Sequence, residues 1–269
     1  VGAEIINAEY IQFHPTILHH RDVKRFLISE ALRGEGARLM NRFGEYFMER
    51  YNPELKDLAP RDEVARAIFY EMERTDSGYV FLDARLIKDH KLSERFPQIF
   101  DQCLRLGIDI SKEPIPVVPA AHYFCGGIKV DLDGRTNIPG LWAVGENACT
   151  GVHGANRLAS VSLLEGLLWG SRAGKSAAKN IYDLPPSLIK SIPPWIFPAP
   201  QEKIDPVLIY QDMHSIRSTL WNYAGIVRNR KRLIRAFSDL NYLSHRIEQF
   251  YREAALERKL IELRNAVLA

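Results

Sequence analysis

Apolar and polar positions alternate weakly over residues 1–15, which predicts extended strand. KRFLISEALRGEGARLMN (24–41) has helical spacing that gives way at Gly34 and Gly36, and RFGEYFMERY predicts a turn and a short amphipathic segment. In APRDEVARAIFYEM (59–72), Pro60, Asp62 and Glu63 punctuate a helix start, while Ala65, Ala67, Ile68 and Met72 give apolar spacing; a helix is predicted over 61–74. GYVFLDA (78–84) predicts a strand, and SERFPQIFDQCLRLGID (93–109) a helix capped by Ser93, with Pro97 early and a stop near Gly107. PIPVVPAAHY (114–123) reads as extended and proline-punctuated. GGIKVDLDGRT reads as a hairpin, with Ile128 and Val130 alternating before an Asp133-Gly134 turn, and GLWAVGE (140–146) as a buried strand. A glycine-rich loop then enters a helix from about Ser160, whose Gly166, Gly170, Ala173, Gly174 and Ala177 leave one flank small enough for close approach. Residues 183–200 hold six of the fifteen prolines and predict a linker, extended but not disordered, whose own Trp195, Ile196 and Phe197 pack on another part of the protein. Beyond it Ile216, Leu220, Tyr223, Val227, Ile234, Phe237 and Leu240, then Leu256, Leu260, Leu263 and Val267, predict a small antiparallel helical bundle.

Composition narrows the class. The 269 residues allow one large domain or two to three small ones, and 46% hydrophobic with 26% charged residues is ordinary for a soluble globular chain. A net charge of +3 is too small to argue for nucleic acid, and the basic run RNRKRLIR (228–235) reads as a solvated helix face because aromatic interleaving is sparse. No run of about 18 apolar residues occurs, so no membrane span is expected. Cys103, Cys125 and Cys149 form no C-x-x-C pair, which fits a reducing, cytoplasmic setting and argues against a disulfide framework or a zinc site. The chain opens without Met on VGAEIINAEYIQF, which reads as mid-domain strand, so it is expected to be a piece of a longer chain.

Four side chains stand out by their neighbours: His14 in QFHPT, Arg61 at a helix start, His122 in AAHYF and Arg157 in GANRLAS. A lone histidine is ordinarily structural and a lone arginine ordinarily solvated. Arg61 is the odd one, because a helix N-terminus disfavours a cation. Together, two arginines with paired donors and two histidines able to donate would build a pocket for a dianion. AVGEN followed by loop and helix has two readings. One is a plain strand–loop–helix joint. The other is a helix start near Ser160 to Leu163 whose free N–H groups stabilise a phosphate or the negative charge on a reduced ring system.

The blocks EYIQFHPT, SEALRGEGARLMNRFGEYFMERY, LAPRDEVARAI, PAAHYFCGGIKVD and GLWAVGENACTGVHGANRLASVSLLEGL resemble, in order, blocks of the flavoproteins of succinate dehydrogenase, fumarate reductase and L-aspartate oxidase. They cover most of residues 9–170, and LWNYAGIVRNRKRL with the short terminal bundle resembles the aspartate oxidase branch. The resemblance implies an α+β / α/β chain: part of a split FAD-binding domain, with an inserted α+β capping domain and a C-terminal helical bundle. The implied divisions are 1–8 (end of the first FAD-domain segment), 9–122 (cap), 123–182 (returning segment), 183–205 (proline-rich linker) and 206–269 (bundle). No G-x-G-x-x-G follows a strand, so the half that grips the ADP part of FAD is expected outside this chain.

The implied activity is FAD-dependent oxidation of L-aspartate to iminoaspartate, with hydride passing from C2 to flavin N5 and electrons to oxygen or fumarate, as the first step of de novo NAD biosynthesis. A fumarate reductase or succinate dehydrogenase flavoprotein and a non-catalytic fragment stand as alternatives. L-Aspartate and fumarate are the implied small dicarboxylate ligands and quinolinate synthase the candidate protein partner; no metal, nucleic acid or membrane is implied. By the same resemblance Arg61 transfers a proton, and Glu30 and Arg33 relay it. His14 and Ser29, a serine where threonine is expected, hold one carboxylate; His122 and Arg157 hold the other. Glu146 contacts the flavin ribityl or ribose, and the main chain near Ser162 and Leu163 faces the flavin pyrimidine end. Because a guanidinium does not rest in its neutral form, Arg61 either transfers its proton in concert with hydride movement or acts as a purely electrostatic stabiliser.

Overall fold

The structure, a computed structural model, describes residues 2–22, 26–88, 91–179, 190–191, 193–194, 203 and 205–269. The chain divides into two compact units, Val1–Tyr182 and Asp183–Ala269.

In the first unit the predicted N-terminal strand breaks at Asn7, whose φ of 57° is a left-handed conformation that Asn tolerates. The result is β1 (Ile5–Ile6) and β2 (Ile11–Leu18), which join different sheets. β2 is an edge of an antiparallel four-stranded sheet, in the order β2, β5 (Ile115–Phe124), β4 (Val80–Asp83), β3 (Arg38–Met40). β1 pairs antiparallel with β6 (Gly127–Lys129), which pairs parallel with β7 (Ala148–Cys149).

The helix expected over 24–41 contracts to one turn, α1 (Ala31–Gly34); residues 23–25 lie outside the described residues. Gly36 turns the chain with φ 108°, and Arg38–Met40 pair with β4 instead of continuing a helix. The short amphipathic segment forms α2 (Met48–Tyr51), and α3 (Arg61–Thr75) starts where its punctuation predicts. Val64, Ala67 and Ile68 of α3 are buried with Leu39, Leu82, Ile115 and Val117 in one core, so α3 lies on the sheet with Arg61 as its first residue. The helix predicted over 93–109 splits into α4 (Leu92–Arg95) and α5 (Pro97–Arg105). Phe96 precedes a proline, which excludes helical ψ; its φ, ψ of −130°, 56° interrupt the run.

The double glycine 126–127 carries the chain from β5 into the second sheet. A Cβ at Gly126 would sit 2.3 Å from the Asn7 carbonyl oxygen, and one at Gly127, whose φ is 147°, would sit 2.7 Å from that of Asn147. Gly126→Ala is therefore expected to destabilise the protein by about 1–3 kcal/mol in a denaturant melt, by displacing the backbone next to β1. The predicted Asp133-Gly134 turn forms, with Asp131 Oδ1 accepting from the N–H groups of Asp133 (2.8 Å) and Arg135 (2.9 Å). The ladder differs from a simple hairpin: β6 spends both edges on β1 and β7. The buried strand expected at 140–146 consequently finds one bridge, Trp142 to Arg135, and leaves Leu141 and Val144 exposed. After the loop comes α6 (Val161–Lys179).

In the second unit, Asp205 caps α7 (Pro206–Ala224), accepting from the Val207 N–H, and Asn229 caps α8 (Arg230–Glu253), accepting from the Arg232 N–H. α9 (Arg258–Leu268) completes a three-helix cluster around Ile209, Ile216, Leu243, Ile247, Leu260 and Leu263. Arg246 of α8 pairs with Asp212 near the start of α7, and Arg264 of α9 with Glu248 of α8, as antiparallel neighbours require. Ile216, Leu260 and Leu263 of the predicted apolar sets are buried, whereas Ile234 and Phe237 face outward. The predicted packing of Trp195, Ile196 and Phe197 lies outside the described residues.

Candidate active site

Two irregularities in the β2–β5 ladder build the site. Gln12 pairs with Tyr123 and Phe13 with Ala121, which leaves His122 unpaired in a bulge. Further along, His14 pairs with Ala120 and Ile17 with Val118, so Pro15 and Thr16 face a single residue, Pro119. Prolines suit this point because a bulge needs fewer ladder donors. The Thr16 N–H, released from the ladder, donates to His14 Nδ1 at 3.2 Å. That bond assigns the ring proton to Nε2, which is buried and has no hydrogen-bond partner among the described residues. Burial first, then the Arg61 and His122 charges, push the His14 pKa down to about 3. His14 is therefore a neutral hydrogen-bond donor held behind His122, their ring centroids 5.4 Å apart.

The neutral state has a pH signature. A histidine whose folded pKa lies below its unfolded value near 6.5 contributes stability fully above pH 6.5 and loses it as pH falls toward 3. At pH 5 the loss is about 2 kcal/mol relative to a non-titrating residue. Thermal melts at pH 7.5 and 5 should show a larger drop for the native protein than for His14→Gln; equal drops would refute the assignment.

Arg61, the first residue of α3, overcomes the adverse dipole through a paired contact: its Nε lies 2.8 and 2.7 Å from the two carboxylate oxygens of Glu30. The same contact, more than any other influence, holds the Glu30 carboxyl below its usual range. Arg33 Nη2 lies 3.9 Å from Glu30, and Arg33 Nη1 donates to the Asp57 carbonyl at 2.6 Å, while burial lowers the Arg33 pKa. Glu30, which precedes α1, and Arg33 within it thus extend from Arg61 into the interior.

Arg157 joins the set from the loop that precedes α6. Its Nη1 is 3.4 Å from His122 Nε2 and donates to Gln12 Oε1 at 3.3 Å, and its Nε donates to Ser162 Oγ. Arg61 Nη1 reaches the same Gln12 oxygen at 3.5 Å. Burial, Arg157 and Arg61 all lower the His122 pKa. Gln12 is the link that sequence reasoning missed; its position two residues before His14 on one strand face was the available signal. Glu30, Arg33, Arg61, Gln12, Arg157, His122 and His14 form one connected set. Ser29 adjoins it through the chain, its Oγ accepting from the Ala31 N–H at 3.2 Å. Glu146 Oε1 accepts from the Phe124 N–H at 3.5 Å, next to the bulge.

At the start of α6 the Leu163 N–H is already bonded to the Ser160 carbonyl, which leaves the first-turn amides of Val161 and Ser162 for an anion. Leu163 and Leu164 beside them are 81% and 68% exposed. Free amides at a positive helix end next to a bare apolar surface fit a flat ring system with an anionic edge, and Glu146 fits hydroxyl groups. Among the described residues, no group of three or more His, Cys, Asp or Glu is placed to hold a metal ion.

The chain belongs to a class of flavoproteins, the FAD binding domain family, whose profile matches residues 1–163; FAD is the family's cofactor. Among curated proteins it is similar to the L-aspartate oxidases of Pseudomonas aeruginosa, at 46% identity over 99% of this chain and 49% of that one, and of Acinetobacter baylyi, at 45% over 99% and 48%. The chain spans about half the length of the curated relatives it matches. Among solved structures it resembles E. coli quinol fumarate reductase FrdA (28% identity, TM-score 0.79, 99% of this chain and 49% of that one). It also resembles Mycobacterium smegmatis Sdh1 in complex with UQ1 (32%, TM-score 0.70, 99% and 46%). The fold is the mixed α/β fold of these flavoproteins, and its C-terminal helices fit it. Among the described residues no helix is long and apolar enough to cross a membrane.

Proposed function

We propose that the protein containing this chain is a cytoplasmic L-aspartate oxidase, converting L-aspartate to iminoaspartate at the start of NAD biosynthesis. The observation that carries the reading is the single connected set formed by His14, Arg61, His122 and Arg157, which are far apart in sequence. Two cations and two neutral imidazole donors suit a dianion, and the named relatives favour aspartate. In this reading residues 9–122 are a cap over the site, 123–182 return to the FAD-binding domain, and 183–205 link it to the terminal bundle.

Bound FAD supplies the acceptor for the hydride leaving C2. Arg157 and His122 hold one substrate carboxylate; His14 Nε2, with the Ser29 hydroxyl, holds the other. Arg61 stands where the proton released alongside the hydride is taken up, and Glu30 is that proton's next station, with Arg33 behind it. A free neutral guanidine is not a resting state, so Arg61 takes up that proton only as it gives one of its own from Nε to the Glu30 carboxylate, in concert with hydride departure. Glu146 and the first-turn amides of α6 hold the flavin. Iminoaspartate made in this way would pass to quinolinate synthase, the protein partner in this reading.

The structural neighbours favour a second reading, a fumarate reductase or succinate dehydrogenase flavoprotein with the same pocket. Steady-state assays of the full-length, flavin-loaded protein decide between them. Aspartate turnover with oxygen or fumarate as acceptor is expected; succinate turnover without aspartate turnover would reject the first reading.

A further inference from the structure

Behind the Arg157 guanidinium lies a chain of side chains outside the set just described. Its Cζ sits 4.0 Å above the centre of the Tyr123 ring. The Tyr123 hydroxyl lies 3.3 Å from His153 Nε2, and the same nitrogen lies 2.7 Å from Glu165 Oε2. Thr150 Oγ1 donates to the other Glu165 oxygen. Glu165 and His153 are 3% and 9% exposed, and Tyr123 is buried.

These positions have one physical logic. A carboxylate taken out of water must be satisfied by donors, and Glu165 receives two. The short contact places the His153 proton on Nε2, pointing at Glu165. That fixes the imidazole plane, and the imidazole edge fixes the Tyr123 ring, centroids 5.3 Å apart at 79°. The Tyr123 face then offers its negative quadrupole to Arg157 at a distance where cation–π attraction is strong. Glu165 and Ser162 lie three residues apart on α6, so one helix turn supplies both the anchor of this chain and the hydroxyl that receives Arg157 Nε.

We propose that Glu165, His153 and Tyr123 are positioning residues that hold Arg157 in the orientation that receives a substrate carboxylate. The proposal rests on the dicarboxylate reading above. Malonate is the probe, a dicarboxylate with no C–C bond between two carbons that oxidation could desaturate. Its Kd is measured by calorimetry on the full-length, flavin-loaded protein. Tyr123→Leu, which removes the aromatic face, should raise Kd about tenfold, and Tyr123→Phe, which keeps it, two- to threefold. Glu165→Gln sets an amide N–H against one of its two donors and should raise Kd about fivefold in the native background. It should add nothing in an Arg157→Ala background, because it acts only through that guanidinium.

An undiminished Glu165→Gln effect on top of Arg157→Ala, or equal effects of Tyr123→Leu and Tyr123→Phe, would overturn the proposal. If Glu165→Gln does not fold, the Tyr123 pair, which leaves the buried carboxylate intact, decides alone. An Arg157→Ala protein that binds malonate as the native protein does would instead overturn the dicarboxylate reading itself.

Discussion

Arg61→Gln in the full-length, flavin-loaded protein is expected to lower kcat with L-aspartate by about three orders of magnitude while flavin content stays unchanged. The side chain is poised by geometry. Pro60 precedes the helix, Arg61 opens it, and Glu30 grips Nε with both oxygens, while Nη1 reaches Gln12. Glutamine keeps much of the volume and hydrogen-bonding character but loses the charge and the proton. Arg61→Lys separates the two roles: it restores the charge as a point but cannot reproduce the fork against Glu30. Turnover near that of the glutamine variant argues for concerted proton transfer through Arg61 and Glu30, and recovery to within tenfold of native argues for electrostatics alone. Turnover of Arg61→Gln within a few-fold of native would remove Arg61 from the reaction.

The second large effect is expected at Arg157. In the proposed reading Arg157→Ala removes two charge-assisted donors from one carboxylate, an expected loss of about 3 kcal/mol, or roughly 150-fold in Kd for the dicarboxylate. The loss should fall on KM with a smaller change in kcat, because the carboxylate is held in the ground state as well as in the transition state. Fluorescence or calorimetric titration measures the first quantity and saturating-substrate turnover the second. A kcat collapse with unchanged affinity would reverse the assignment and make Arg157 a group that acts only during the chemical step. Arg157 also touches His122 Nε2 and Gln12, so removing it frees His122 from a neighbour that lowers its pKa. The affinity of the Arg157→Ala protein should therefore gain a pH dependence toward acid that the native protein lacks.

Much of the architecture was legible in the chain because it depends on local chemistry. The start of α3 follows from Pro60, Asp62 and Glu63, the start of α6 from its glycine-rich approach, and the terminal helices from periodic apolar residues. What was not legible depends on partners distant in sequence. Residues 38–40 look helical by spacing but become a strand because β4 offers an edge. GLWAVGE looks like a buried strand, yet both edges of β6 are taken by β1 and β7. The candidate site divides in the same way. His14, Arg61, His122 and Arg157 announce themselves by unusual neighbours. Gln12, Tyr123, His153 and Glu165 do not, because a glutamine in a strand or a glutamate in a helix is unremarked until its contacts are known.

The bulge at His122 has a consequence for the strand that carries it. In a regular strand consecutive side chains fall on opposite faces, so a protein that needs two adjacent residues on one side must choose between them. Here the extra residue slips the phase of β5 by one: His122 turns toward His14, and Tyr123, next in the chain, still lies across from Gln12 and beneath Arg157. The one-residue slip works as a vernier, letting a single strand deliver a donor and the aromatic floor under its neighbour to the same spot. Deleting residue 122 would remove the slip itself. The alternation would close up into a regular ladder, with Ala121 still opposite Phe13 and Tyr123 still opposite Gln12, so the donor would be lost and the aromatic floor kept.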